Sequence, residues 1–148
     1  LIRQITILNN KYGLLVESSD EAITHDRTDG KDANGERTID FIITTSSSQD
    51  NPNLRVRLER RTYDAYDDLS YEYESVDFDD IFEDELTVAD ATRKLYYVTQ
   101  DLPENINFSL TVKEGPLKTG TYRIVFGIYD GDNYIGSVYR YLIIRDMK

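Results

Sequence analysis

The feature that most constrains this chain is strict period-two alternation. Leu54, Val56 and Leu58 alternate with Arg55, Arg57 and Glu59, which puts apolar side chains on one face of an extended segment and charged ones on the other. Ile106, Phe108, Leu110 and Val112 repeat the pattern against Asn107, Ser109, Thr111 and Lys113. The segment from Arg37 to Thr45 is read as its partner strand, with Ile39, Phe41 and Ile43 inward. Tyr122, Ile124, Phe126 and Ile128 alternate as well. Asp130-Gly131-Asp132-Asn133 then supplies turn chemistry before a strand from Ser137 to Arg145, giving a long terminal hairpin.

The remaining elements follow from weaker signals. Ile5-Thr6-Ile7 and Leu14-Leu15-Val16 read as short strands, Tyr71 to Glu74 alternates, and Leu95 to Thr99 has β composition. Asp79 to Asp90 reads as a short helical turn or an irregular crossing, and Pro52, Pro103 and Pro116 as connections. Seven to nine strands in 148 residues predict an all-β fold, an antiparallel two-layer sandwich occupying residues 1–148 as one domain. At this size a hydrophobic core suffices, so the absence of cysteine is tolerable. The chain begins at Leu1 without a basic-then-apolar leader and reads as an excised piece of a longer protein.

The run Leu117-Lys118-Thr119-Gly120-Thr121-Tyr122 resembles the L-x-x-G-x-Y corner of immunoglobulin-like and fibronectin-type sandwiches. The resemblance extends through the last two strands, to residue 145, and is to immunoglobulin-like modules of bacterial surface and secreted proteins. It implies that Leu117 fills the end of the core, that Gly120 permits the turn, and that the Tyr122 hydroxyl bonds back to the backbone. It also implies an extracellular or cell-surface, non-catalytic module serving adhesion, spacing or assembly. Its partners would be proteins, glycans or neighbouring domains of a longer chain. A carbohydrate-binding module is the alternative, and a glycosidase-related domain a distant third.

Charge narrows the partners. Twenty-eight acidic against 17 basic residues give a net charge of −11, which opposes nucleic acid and anionic membranes, and no apolar run is long enough to span a bilayer. Thr62 to Asp90 holds 12 carboxylates and no Lys or Arg. Asp77, Asp79, Asp80, Glu83 and Asp84 within it are candidate ligands for calcium, which takes bunched oxygen donors, against the alternative of a solvated acidic face. The stretch from Asp26 to Glu36, with Asp29 and Asp32, is a second calcium candidate, set against a polar inter-strand loop.

Tyrosine is frequent, with 12 residues. Tyr63, Tyr66, Tyr71 and Tyr73 are candidate binding residues, because phenol rings offer contact area at low entropic cost; their alternative is packing on a half-buried sheet. Packing is the preferred reading for Tyr96, Tyr97, Tyr129, Tyr139 and Tyr141. Enzyme signatures are missing from the sequence. His25, the one histidine, reads as a solvated loop residue, Ser46-Ser47-Ser48 lacks an activating base, and the hairpin glycines match no phosphate loop.

Overall fold

A computed structural model describes residues 3–9, 12–18, 22–26, 37–47, 51–63 and 71–145. Among the described residues, eleven strands form two sheets. The smaller contains β1 (Arg3–Asn9), β2 (Tyr12–Glu17), β4 (Thr38–Ser47) and β9 (Asn105–Thr111), in that order and all antiparallel. The larger runs from β3 (Ala22–Asp26) through β11 (Asn133–Arg145), β10 (Gly120–Asp130), β5 (Pro52–Tyr63) and β8 (Leu95–Thr99) to β7 (Val88–Asp90). β6 (Tyr71–Val76) pairs with the far half of β5.

The alternating segments become the long central strands and face one another. Leu54, Val56 and Leu58 from β5 and Ile124, Phe126 and Ile128 from β10 are fully buried, as are Leu14, Val16, Phe41, Ile43 and Leu110 from the smaller sheet. Phe41 meets Phe126 edge to face across the layers, with ring centroids 5.1 Å apart, a preferred aromatic geometry. β4 pairs with β9 as expected, Ile43 opposite Ile106 and Ile39 opposite Leu110. The fold is therefore the expected all-β sandwich.

Three features differ from the sequence reading. Two short elements, β3 and β7, raise the strand count above nine, and β3 pairs parallel to β11, unlike every other pairing among the described strands. His25 lies in β3, opposite Ile144, and not in a loop; one apolar residue, Ile23, is too little alternation to mark an edge strand in sequence. Arg55 and Glu59 point away from the core as their parity requires, yet they are 3% and 7% exposed. Something covers the outer face of the large sheet, and that covering is the site described next.

The 77–83 crossing explains how an acidic run is held. Phe78, Ile81 and Phe82 are buried in the core while Asp79 and Asp80, in the 3-10 turn Phe78–Asp80, stay exposed. Phe82 bridges to Val112, Glu83 donates its N–H to Thr111 and Lys113 donates to Ile81. The crossing thus pairs beyond β9 and covers part of that sheet edge.

Candidate functional site

The outer face of the large sheet is set by register. Across β5 and β10, Glu59 stands opposite Arg123, Arg57 opposite Val125, Arg55 opposite Gly127 and Asn53 opposite Tyr129. Across β10 and β11, Arg123 faces Tyr141 and Val125 faces Tyr139. On β6, Tyr73 lies opposite Arg61, and on β8, Tyr97 lies opposite Arg55. Period-two geometry brings these residues, scattered from Asn53 to Tyr141, onto one surface.

At its centre Glu59 accepts hydrogen bonds from two guanidiniums. Arg123 donates Nε and a terminal nitrogen to Oε1 at 3.0 and 2.6 Å, and Arg57 donates Nε to Oε2 at 2.9 Å. Charge-assisted bonds of this kind are the strong ones, and both carboxylate oxygens are engaged. The Arg123 guanidinium also lies over the Tyr73 ring at 3.6 Å and near the Tyr139 ring at 4.9 Å. Tyr139 and Tyr141 pack edge to face at 5.3 Å. The hydrogen bond with Tyr139, burial and the nearby phenol of Tyr73 push the Tyr141 pKa above its ordinary value. This lattice leaves Val125 only 4% exposed although it faces outward.

Towards the hairpin end, Arg55 ties the β10–β11 turn down. One terminal nitrogen donates to the Gly131 carbonyl at 2.9 Å and to Asp132 at 2.8 Å, while Nε donates to Asn53 at 2.9 Å. Its guanidinium sits 4.4 Å from the Tyr129 ring centre and 5.2 Å from that of Tyr97. Gly131 has φ 59°, a conformation glycine takes without a Cβ penalty at the first central position of a two-residue hairpin. Burial raises the Tyr129 pKa, and Arg57 and Arg55 oppose the shift.

An open groove of about 690 Å³ borders this array, between the β7–β8 turn and the bulged hairpin end. Arg57, Arg93, Lys94, Tyr129, Tyr134 and Leu95 are among the residues that line it. The register of β10 and β11 shifts at Ile128/Tyr129, so that Tyr129 pairs with Tyr134, and bulges of this kind re-aim side chains. On the opposite wall Lys94 adopts φ 57°, uncommon for a residue with a Cβ.

Of the predicted binding tyrosines, Tyr73 belongs to the lattice. Tyr63 and Tyr71 pair with each other in β5 and β6, and Tyr66 lies outside the described residues. The proposed calcium ligands are not brought together. Asp77 pairs with Lys94 at 3.2 Å, Glu83 pairs with Arg37 at 2.7 Å, and Asp84 accepts the Thr111 N–H at 2.7 Å. Asp79 and Asp80 are exposed on the 3-10 turn. The buried Phe78, Ile81 and Phe82 fix the backbone so that these carboxylates diverge. Among the described residues no three His, Asp or Glu groups converge on a point that could hold a metal ion; Asp29 and Asp32 lie outside them.

Arg55, Arg57 and Glu59 are legible in sequence only as the outward half of an alternation, and Tyr129 and Tyr139 only as rings that pack on a sheet; Arg123 carries no signal of its own. Their assembly needs the register between strands more than 60 residues apart, which one strand's pattern does not contain. Compared with protein-family models and with curated proteins, the chain matches none.

Proposed function

We propose that the chain is a non-catalytic extracellular module, an immunoglobulin-like sandwich of a bacterial surface or secreted protein, and that it serves adhesion, spacing or assembly through the outer face of its large sheet. One observation carries this reading: the face presents a fixed tyrosine–arginine lattice, with Arg123 held between Glu59 and the Tyr73 and Tyr139 rings. Tyrosine and arginine are the residues enriched at protein interfaces and their hot spots. Holding them in place before binding lowers the side-chain entropy lost on association. The Tyr122 corner, with its hydroxyl 2.6 Å from the Lys118 carbonyl, supports the immunoglobulin-like reading. The alternative, a carbohydrate-binding module, draws its support from the groove at the edge of the face.

The test compares the wild-type domain with a Tyr139→Ser variant whose thermal transition has been checked. Both are applied to a glycan microarray and to an array of bacterial surface-protein domains. Saturable binding to a protein domain that the variant loses supports adhesion or assembly, and glycan binding that the variant loses supports the alternative. Binding that survives Tyr139→Ser unchanged removes the face from the account.

A further inference from the structure

The groove beside the lattice is rich in cations. The chain carries a net charge of −11, yet the groove is lined by three cations, Arg57, Arg93 and Lys94, and one carboxylate, Glu59. Glu59 is already engaged by Arg57 and Arg123. Among the described residues, Arg57 bonds Glu59 through its Nε, and the two terminal nitrogens of a guanidinium form a planar fork suited to a carboxylate. Arg93 and Lys94 face Asp90 at 3.8 Å and Asp77 at 3.2 Å, and the Arg93 side chain is 75% exposed. Exposed pairs of this kind are weak and exchange partners readily. Cations outnumber carboxylates in the lining itself, and an anionic ligand could displace the exposed Asp90 and Asp77 partners where a neutral one could not.

The other wall is aromatic. Tyr134 is 57% exposed, an unusual position for a large ring, and packs edge to face on Tyr129 at 5.6 Å. Its hydroxyl and that of Ser137 are 3.0 Å apart, which fixes the ring as a platform. Leu95, the one aliphatic side chain of the lining, is buried, so the apolar surface the groove offers is chiefly aromatic. A volume of about 690 Å³ lies within the roughly 300–1,000 Å³ typical of small-ligand sites. Lys94, with φ 57°, and the register shift at Ile128/Tyr129 both fall on this groove; sparsely populated backbone conformations cluster at ligand sites, and bulges re-aim side chains there.

We propose that this groove binds a carboxylate-bearing sugar, with Arg57 and Arg93 gripping the carboxylate and the Tyr134 ring stacking on the sugar. The proposal rests on the carbohydrate-binding alternative above and names its ligand class. The test is an amide-resolved NMR titration with three probes. These are a tetrasaccharide of alternating glucuronic acid and N-acetylglucosamine, neutral chitotetraose, and a hexaglutamate peptide. The acidic sugar should bind roughly tenfold tighter than the neutral one and shift amides of the β7–β8 turn and hairpin end. Arg93→Gln and Tyr134→Ser, both at exposed side chains, should each weaken it about fivefold with the thermal midpoint unchanged. Equal affinity for acidic and neutral sugars overturns the proposal, as does binding of hexaglutamate alone or binding indifferent to both variants. Loss of acidic-sugar binding in Tyr139→Ser but in neither groove variant also overturns it, while leaving the docking face standing.

Discussion

Tyr122 is 2% exposed, and its hydroxyl donates to the Lys118 carbonyl at 2.6 Å. Gly120, between them, has φ 154°, and a Cβ there would come within 2.9 Å of the Arg60 side chain, which itself donates to Thr119. The corner was legible because all its parts lie within six consecutive residues. Tyr122→Phe should lower the unfolding free energy by about 0.5–1.5 kcal/mol, the net worth of one such bond; urea denaturation with unchanged m-value measures it. Arg55 is the opposite case, since its partners Gly131 and Asp132 lie 76 and 77 positions away. Arg55→Met keeps much of the packing on Tyr97 and Tyr129 but leaves the Asn53 amide oxygen without its donor and the Gly131 carbonyl with Asn53 Nδ2 alone. The expected loss is about 2–4 kcal/mol, with amide exchange faster at the β10–β11 turn than elsewhere. Uniform acceleration across the sandwich would show that Arg55 supports the whole fold and not the hairpin.

Among the elements, the ones read well from sequence are the long strands β4, β5, β9 and β10, where every second residue has an apolar side chain turned to the core, although β5 and β10 are covered on their outer face as well. β3 and β7, five and three residues long, offer too few positions for a period to show. The Phe78, Ile81, Phe82 anchor was masked by carboxylates, although its i, i+3, i+4 spacing was present. The β7–β8 turn shows how a short element can be held against propensity. Asp90 accepts the N–H groups of Thr92 and Arg93 at 3.1 and 3.2 Å, and Lys94 then takes φ 57°. A left-handed residue with a Cβ costs about 1–2 kcal/mol. Glycine removes that cost and adds back about 0.4–1 kcal/mol of unfolded-state entropy, while the exposed pair with Asp77 is worth about 0–1 kcal/mol. Lys94→Gly should therefore match or slightly exceed wild type in thermal midpoint. Lys94→Val should fall clearly below both, because a β-branched side chain fits this conformation worst. The reverse order would mean that the turn's conformation is not what limits it.

At the scale of the whole molecule, the tyrosines couple the fold to alkaline pH. Tyr96, Tyr122 and Tyr129 have raised pKa values chiefly through burial, and Tyr141 chiefly through its hydrogen bond with Tyr139. Below about pH 10, the ordinary tyrosine value, both folded and unfolded chains keep these protons, so they confer no pH dependence. Above it the unfolded chain releases protons that the folded chain still holds. More protons bound in the folded state means that stability falls as pH rises. The loss should begin near the unfolded value and continue through the raised folded ones. Growing negative charge on a chain already at −11 acts in the same direction, but it is screened by salt, whereas burial and a tyrosine–tyrosine hydrogen bond are not. Urea midpoints across the alkaline range, at low and high sodium chloride, separate the two. An alkaline decline that persists in high salt, is shallower in Tyr141→Phe, and coincides with the rise of tyrosinate absorbance assigns the effect to the held phenols. A decline abolished by salt and untouched by Tyr141→Phe would assign it to the acidic surface instead.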